Sequence, residues 1–177
     1  MADEDQFAIE LVTPERILVT GSATEVILRT REGDVTFLAG HTPLVGTVEP
    51  GVIRVVRAGD EVERVAVHGG FVQVEQGVPE DVAAGPAAAG TRVTMLVGVA
   101  ELSGEIDIDR ARAALETAEA RVAELGGAGG RGTGTGSGEG EEPDHDLIEA
   151  EAALLRAQVR LEAVDESAGV AGTGAGA

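Results

Sequence analysis

The chain has 177 residues, a formal net charge of −19 and 43% hydrophobic residues, but only 2% aromatic residues. Such an acidic surface repels nucleic acid and anionic lipid headgroups, which excludes nucleic-acid binding. The absence of cysteine excludes disulfides and thiolate metal sites. The N-terminus is acidic and no apolar run is long enough to span a bilayer, so the sequence predicts a soluble cytoplasmic chain.

The residues from Phe7 to about Val99 form short apolar, Val-rich segments separated by turn signals such as Glu49-Pro50-Gly51. Many short strands at even spacing predict a sandwich or a barrel-like β domain. Because aromatic residues are scarce, its core must consist mainly of Val, Ile, Leu and Ala. The predicted strands are Phe7–Val12, Ile17–Thr20, Glu25–Thr30, Val35–Leu38, Leu44–Val48, Val52–Val56, Val62–Val67, Phe71–Val74 and Arg92–Val97.

Helical periodicity begins near Glu105. Apolar residues recur at spacings of three and four in two segments, which predicts two helices with one apolar face each. We expect Asp107 or Asp109 to cap the first helix, because a carboxylate there satisfies free backbone N–H groups. Alanine alternates with larger residues on both faces, so burial is small and the helices need a packing partner. The two faces comprise Ile108, Ala111, Leu115, Ala118, Val122 and Leu125, and Leu147, Ala150, Leu154, Ala157, Leu161 and Val164.

Three regions rich in glycine and alanine are predicted to lack regular structure. Gln76–Thr91 is predicted to be a long loop, residues 126–143 a flexible linker, and residues 167–177 a disordered tail. The chain is therefore divided into a β domain of residues 6–100, a helical hairpin of residues 101–166 and the tail.

Arg156 and Arg160 stand four residues apart on the second predicted helix, with no acidic residue three or four positions from either. Adjacent guanidinium groups repel each other unless an anion or a carboxylate from elsewhere joins them. Two interpretations remain open. The pair forms salt bridges with Asp107 or Glu101, or it binds a phosphate group together with the flank of the first helix that carries Arg110.

The sequence contains no recognisable set of catalytic or metal-binding residues. His41, His68 and His145 lie far apart and are interpreted as turn or surface histidines. Residues 127–132 fit the pattern Gly-x-Gly-x-x-Gly, but they follow a helix inside a glycine tract, so we reject a dinucleotide loop. We therefore assign no catalytic residue and no metal ligand.

Four stretches of the chain form an ordered set of motifs. They are Leu11–Arg16, Gly40–Val45 with Glu49–Val55, Val67–Val74, and Ala100–Leu102 leading into Glu105–Asp107. This set resembles the epsilon subunit family of F-type ATP synthases, and the likeness covers most of residues 6–166. The resemblance implies a mainly β fold with added α: an N-terminal β-sandwich of about ten short strands and a C-terminal antiparallel two-helix hairpin.

The resemblance also implies a non-catalytic subunit of the central rotor stalk. Its β-sandwich is expected to bind the gamma subunit and the membrane c-ring and to couple proton translocation to ATP synthesis. Its helices are expected to reach the catalytic alpha and beta subunits and to inhibit ATP hydrolysis. Asp34 and His41 lie in the region that resembles the c-ring contact. The implied location is peripheral, at the cytoplasmic face of the cell membrane.

Some members of this family also bind a regulatory ATP between the two helices, and no other cofactor is implied. The residues that resemble this site are Glu101, Ile106, Asp107, Arg110, Arg156 and Arg160. Thr117 stands where such members usually carry a further arginine on the first helix.

Two other classes of function fit part of the sequence. A free-standing β-sandwich binding module with an oligomerising helical tail explains the fold but not the order of the motifs, and it predicts no co-purification with membranes. A nucleotide hydrolase that uses Arg156 and Arg160 lacks a phosphate-cradling loop, and it predicts turnover by the isolated chain.

Overall fold

The computed structural model describes residues 6–77, 90–128 and 145–171. Within these residues the chain forms ten strands, a short 3₁₀ turn and two long helices. The elements are β1 (Phe7–Val12), β2 (Ile17–Ala23), β3 (Glu25–Thr30), β4 (Gly33–Phe37), β5 (Leu44–Val48), β6 (Gly51–Val56), β7 (Val62–Val67), β8 (Gly70–Glu75), β9 (Arg92–Val97), β10 (Ala100–Leu102), the 3₁₀ turn (Ser103–Glu105), α1 (Ile108–Ala128) and α2 (His145–Ala171).

The ten strands form two five-stranded sheets around one core. The first sheet has the order β2-β1-β9-β8-β5 and the second has the order β10-β7-β6-β3-β4. Alternation places one face of each strand in the core. In β8, for example, Val72 and Val74 are buried while Gln73 is exposed. The core contains aliphatic side chains of both sheets together with Phe7 and Phe37, so the predicted β-sandwich is confirmed.

Four strands differ from their predicted bounds, and β10 was not among the strands predicted from the pattern. β6 begins one residue earlier than predicted, and β8 is one residue longer at each end. β2 continues beyond Thr20 through Gly21 to Ala23, because its ladder with β1 extends to the pair formed by Phe7 and Ala23. β4 begins two residues earlier than predicted and ends at Phe37. β10 has only three residues, too few for a visible pattern, and it exists through its long-range pairing with β7.

The helices begin as predicted and continue further than predicted. Asp107 caps α1, because its Oδ1 accepts a hydrogen bond from the Arg110 backbone N–H at 3.0 Å. α1 continues to Ala128, into the predicted linker, and α2 continues to Ala171, into the predicted tail. The rest of the linker and tail, and most of the predicted loop after Gln76, lie outside the described residues.

The second helix packs against two neighbours. Ala150 and Ala157 of its predicted apolar face are buried, but Val159 and Ala163, which lie outside that face, are equally buried. These two residues pack in a cluster with Ala66 on the outer face of β7. The single-face prediction for α2 was therefore incomplete, because α2 contacts both α1 and the second sheet.

Among the described glycines, Gly70 at the start of β8 has the least room for a side chain. A Cβ atom there would overlap the carbonyl oxygen of Leu96 and lie 2.9 Å from the Cα of Val97. We expect Gly70→Ala to lower the free energy of unfolding by about 3 kcal/mol, because β8 must move away from β9. Denaturant unfolding measures this change.

The matched control is Gly46→Ala on the neighbouring strand β5. A Cβ atom at that position meets only Cγ1 of Val72, at an ordinary contact distance of 3.7 Å. We expect this variant to remain within about 1 kcal/mol of the wild type. Equal destabilisation by the two substitutions would contradict the steric explanation.

Candidate functional site

The outer face of the first sheet carries a row of apolar side chains that crosses four strands. Val12 of β1 pairs with Ile17 of β2 on one side and with Leu96 of β9 on the other, and Leu96 pairs with Phe71 of β8. Phe71 is 60% exposed, Ile17 55% and Leu96 53%. We call Ile17, Val12, Leu96 and Phe71 the apolar row. Sequence analysis missed it as a unit, because only the strand register brings these residues together.

The two residues predicted to contact a membrane ring lie at opposite ends of β4. Asp34 is near its start, where Oδ1 accepts a hydrogen bond from Nε of Arg29 at 2.9 Å. This bond lowers the pKa of the exposed Asp34 carboxyl below its ordinary value. His41 lies beyond the end of β4, with its ring edge-on to Phe37 at a centroid distance of 4.9 Å. The structure therefore does not join Asp34 and His41 in one site.

The loop that contains His41 is held by hydrogen bonds from elsewhere in the chain. Nε2 of Gln76 donates to the carbonyl oxygens of Gly40 and His41, both at 2.8 Å. The backbone N–H of Gly40 donates to Oγ1 of Thr91 at 3.0 Å. Leu38, at the start of this loop, is exposed. These hydrogen bonds hold the loop in one conformation, in which the apolar side chain of Leu38 is exposed to solvent.

The residues predicted to bind ATP come together in one cleft where β10, α1 and α2 meet. The cleft has a volume of about 430 Å³. Five of the six predicted residues line it: Glu101, Ile106, Asp107, Arg110 and Arg160. Arg156 does not line it, although it lies one helical turn from Arg160.

Arg160 is held inside this cleft by a carboxylate. Its Nε and Nη2 both donate to Oε1 of Glu101, at 2.8 and 2.5 Å, and both side chains are mostly buried. The ion-pair interpretation thus holds for Arg160, although its partner lies on a strand rather than on the other helix. Arg156 and the Arg110 guanidinium have no hydrogen-bond or ion-pair partner among the described residues.

A second groove, of about 690 Å³, runs between α1 and α2 and adjoins the cleft at Arg110. The Thr117 hydroxyl on this groove donates to the carbonyl oxygen of Ala113 at 2.8 Å, within its own helix. Arg121 also lines the groove and pairs with Glu124 at 3.1 Å. Half of the lining residues are small and apolar: Ala113, Ala114, Ala118, Ala150 and Ala153.

His68 differs from the predicted surface histidine. It lies in the β7–β8 turn, as predicted, but both of its ring nitrogens are buried and have no hydrogen-bond partner among the described residues. Burial is the main reason that its pKa is lowered, and Arg160 and Arg156 lower the pKa further while Glu101 opposes them. Sequence offered no signal for these surroundings, because Arg156 and Arg160 are distant from His68 in the chain.

Two kinds of feature are absent from the part of the chain that the structure describes. Among the residues of the described ranges, no three metal-ligating side chains lie close enough together to hold an ion. The described helices include none that is both long and apolar enough to cross a membrane.

The family comparison matches both parts of this architecture. The family described as ATP synthase, Delta/Epsilon chain, beta-sandwich domain matches residues 6–79, and the corresponding long alpha-helix domain matches residues 105–165. The chain, a β-sandwich with a helical hairpin, therefore belongs to the ATP synthase delta/epsilon chain family.

Similar proteins are named ATP synthase epsilon chains. One from Moorella thermoacetica is 36% identical over 88% of this chain and 93% of its own length. One from Thermobifida fusca is 42% identical over 67% of this chain and 79% of its own length. A chain of the Euglena gracilis mitochondrial ATP synthase structure has a TM-score of 0.61 at 23% identity, covering 92% of this chain and 81% of that chain, which supports the fold. The relatives indicate a non-catalytic subunit.

Proposed function

We propose that this chain is the epsilon-type rotor subunit in the central stalk of an F-type ATP synthase. Family membership supports this role, and the apolar row is the observation that carries it. Contiguous exposed apolar surface marks protein-binding sites on soluble domains. On the second sheet, α2 covers the outer face of β6 and β7, whereas on the first sheet the described residues leave Ile17, Leu96 and Phe71 of the apolar row exposed. The gamma subunit is the proposed partner for this row.

The loop after β4 is the proposed contact with the c-ring. Its backbone is fixed by Gln76 and Thr91, so Leu38 and His41 are presented without a large ordering cost. Asp34, at the other end of β4, is paired with Arg29 and is exposed. With one face bound to gamma and this loop bound to the ring, the sandwich transmits rotation and couples proton translocation to ATP synthesis.

The helical hairpin is the proposed regulatory element, which inhibits ATP hydrolysis by reaching the alpha and beta subunits. The hairpin buries little apolar surface against the sandwich, because the buried cluster between them is small. It consists of Ala66, Ile106, Ala111, Val159 and Ala163. Alanine side chains contribute little buried area, and the partly buried Val52, Leu161 and Val164 complete the contact. Arg160 and Glu101 add a polar pair at the same junction. An element held in this way can leave the sandwich without disturbing its core.

The cleft between β10, α1 and α2 is the proposed site of a regulatory ATP. Arg110 and Arg156 are guanidinium groups without a carboxylate partner among the described residues, so both are available to phosphate oxygens. Ile106 provides an apolar wall, and Asp107 and Glu101 provide hydrogen-bond acceptors. Arg160 reaches phosphate only by exchanging its bond with Glu101.

We expect Arg110→Ala to weaken ATP binding roughly 10- to 100-fold, because it removes a charge-assisted hydrogen bond within the cleft. We expect a smaller loss for Arg156→Ala, because Arg156 lies one helical turn from Arg160 and outside the lining of the cleft. Isothermal titration of the isolated chain with ATP measures the affinity. Arg112→Ala is the control, since this exposed arginine lies two residues from Arg110 and does not line the cleft. Equal affinities of the wild type and the three arginine variants for ATP, or no ATP binding by the wild type, would contradict the proposed ATP site.

Affinity purification of the tagged full-length chain from native membranes tests the proposed function. We expect the gamma subunit and the c-ring to co-purify with it, from the cytoplasmic face of the cell membrane. Recovery of the chain alone in the soluble fraction would instead support a free-standing binding module.

A further inference from the structure

His68 lies where the outer face of the second sheet meets α2. Side chains alternate along a strand, so His68 continues the face that carries Arg64 and Ala66, both buried. Its backbone N–H donates to the carbonyl oxygen of Val99 at 3.3 Å, which fixes the turn. Its ring nitrogens are buried without a hydrogen-bond partner among the described residues. A charge at this position would be poorly solvated while α2 is docked.

Charged groups face His68 from both elements packed against it. α2 contributes Arg160 and Arg156, which disfavour a positive charge on the imidazole. β10 contributes Glu101, which favours that charge but is already the acceptor for Arg160. Arg64 is buried on the same face of β7. A protonated His68 would therefore compete with Arg160 for a single carboxylate and repel two guanidinium groups.

We propose that His68 is a proton-operated latch that holds α2 on the sandwich. When the imidazole is neutral, it packs beside the pair of Arg160 with Glu101 and α2 stays docked. When it is protonated, Arg160 loses its exclusive partner and α2 separates from β7 and β10. The latch concerns docking within the chain itself and requires neither ATP nor a partner subunit. Only its consequence for inhibition rests on the proposed function.

The direction of the pH effect follows from proton linkage. In the docked state the pKa of His68 lies below its ordinary value of 6.5, and in the released state the exposed ring returns to that value. The released state therefore binds more protons in this pH range. Docking is complete above about pH 6.5 and weakens as the pH falls below it, with a limit of about tenfold in the docking equilibrium constant per pH unit for one proton.

The absence of cysteine allows the docking distance to be measured with introduced labels. Ala58→Cys in the β6–β7 turn and Gln158→Cys on α2 are both exposed positions for a fluorophore pair. We expect energy transfer in the full-length chain to change reversibly between pH 7.5 and 5.5. In His68→Asn, which cannot be protonated in this range, we expect the value seen at pH 7.5 to persist throughout.

His41→Asn and His145→Asn are the matched controls, and both are expected to keep the pH-dependent change. Energy transfer that is independent of pH, or a change that persists in His68→Asn, would overturn the latch.

Proton NMR of the unlabelled wild-type chain gives a second test that does not depend on any variant folding. The ring signals of His68 are expected to titrate with a midpoint below the ordinary histidine value of 6.5, and a midpoint at or above that value would also overturn the latch. Co-purification with gamma needs neither labels nor pH change, so the two proposals fail independently.

Discussion

Phe71→Asp is expected to weaken binding to the gamma subunit roughly 30-fold or more while leaving the sandwich folded. Phe71 is 60% exposed at the β8 end of the apolar row, beside Leu96, so a carboxylate there would be desolvated in a complex but remain hydrated in the free chain. Loss of an apolar side chain that anchors an interface costs about 2 kcal/mol or more. Pull-down with purified gamma, followed by titration, measures the affinity.

Phe71→Leu is the control for this prediction, because it retains an apolar side chain at the same register position. We expect it to bind gamma nearly as well as the wild type. Both variants are expected to unfold within about 0.5 kcal/mol of the wild type, since the replaced side chain is exposed. Normal recovery of gamma with Phe71→Asp would mean that the apolar row serves another partner.

Removal of residues from Asp107 onward is expected to raise ATP hydrolysis by the assembled ATP synthase about tenfold. This is the change produced by removing a bias of about 1.4 kcal/mol toward an inhibited state. The sandwich is expected to survive truncation, because its main core contains only residues that precede Asp107. ATP hydrolysis by purified complexes with full-length and truncated chains provides the comparison.

Two control measurements are needed before a change in the ATP hydrolysis rate can be attributed to the helices. The truncated chain must still co-purify with the complex, which the intact apolar row predicts. Subunit quantification by gel densitometry therefore accompanies each rate. If the truncated chain is present and ATP hydrolysis is unchanged under all conditions, the helices do not inhibit hydrolysis and the regulatory half of the proposed function is wrong.

Much of the fold could be predicted because its determinants are local. Alternation in segments such as β8 and turn residues such as Glu49-Pro50-Gly51 act over a few residues, and the strands they predict are present. The Asp107 cap was predicted for the same reason, since a side chain three positions before Arg110 satisfies its backbone N–H. β10 was not predicted from the pattern, because three residues are too few to show alternation. The strand is defined only by its pairing with β7.

The candidate sites divide in the same way. Five of the predicted ATP-site residues share a cleft, because their motif positions fix their place at the start of α1 and on α2. The choice between a phosphate site and an ion pair at Arg160 required the position of Glu101, 59 residues away in the chain. The electrostatic surroundings of His68 could not be predicted either, because Arg156 and Arg160, which lower its pKa, follow the glycine-rich linker.

The sequence by itself determined the order of a β domain and two helices, the aliphatic character of the core and the ordered motifs of the family. Spacing and composition encode these features directly. Only the tertiary structure decided which surfaces are available. The strand register assembled the apolar row across β2, β1, β9 and β8. Docking of α2 covered β6 and β7 of the opposite sheet and placed Arg156 and Arg160 where they lower the pKa of His68. These features depend on which distant residues become neighbours, and that is settled when both sheets and α2 pack together.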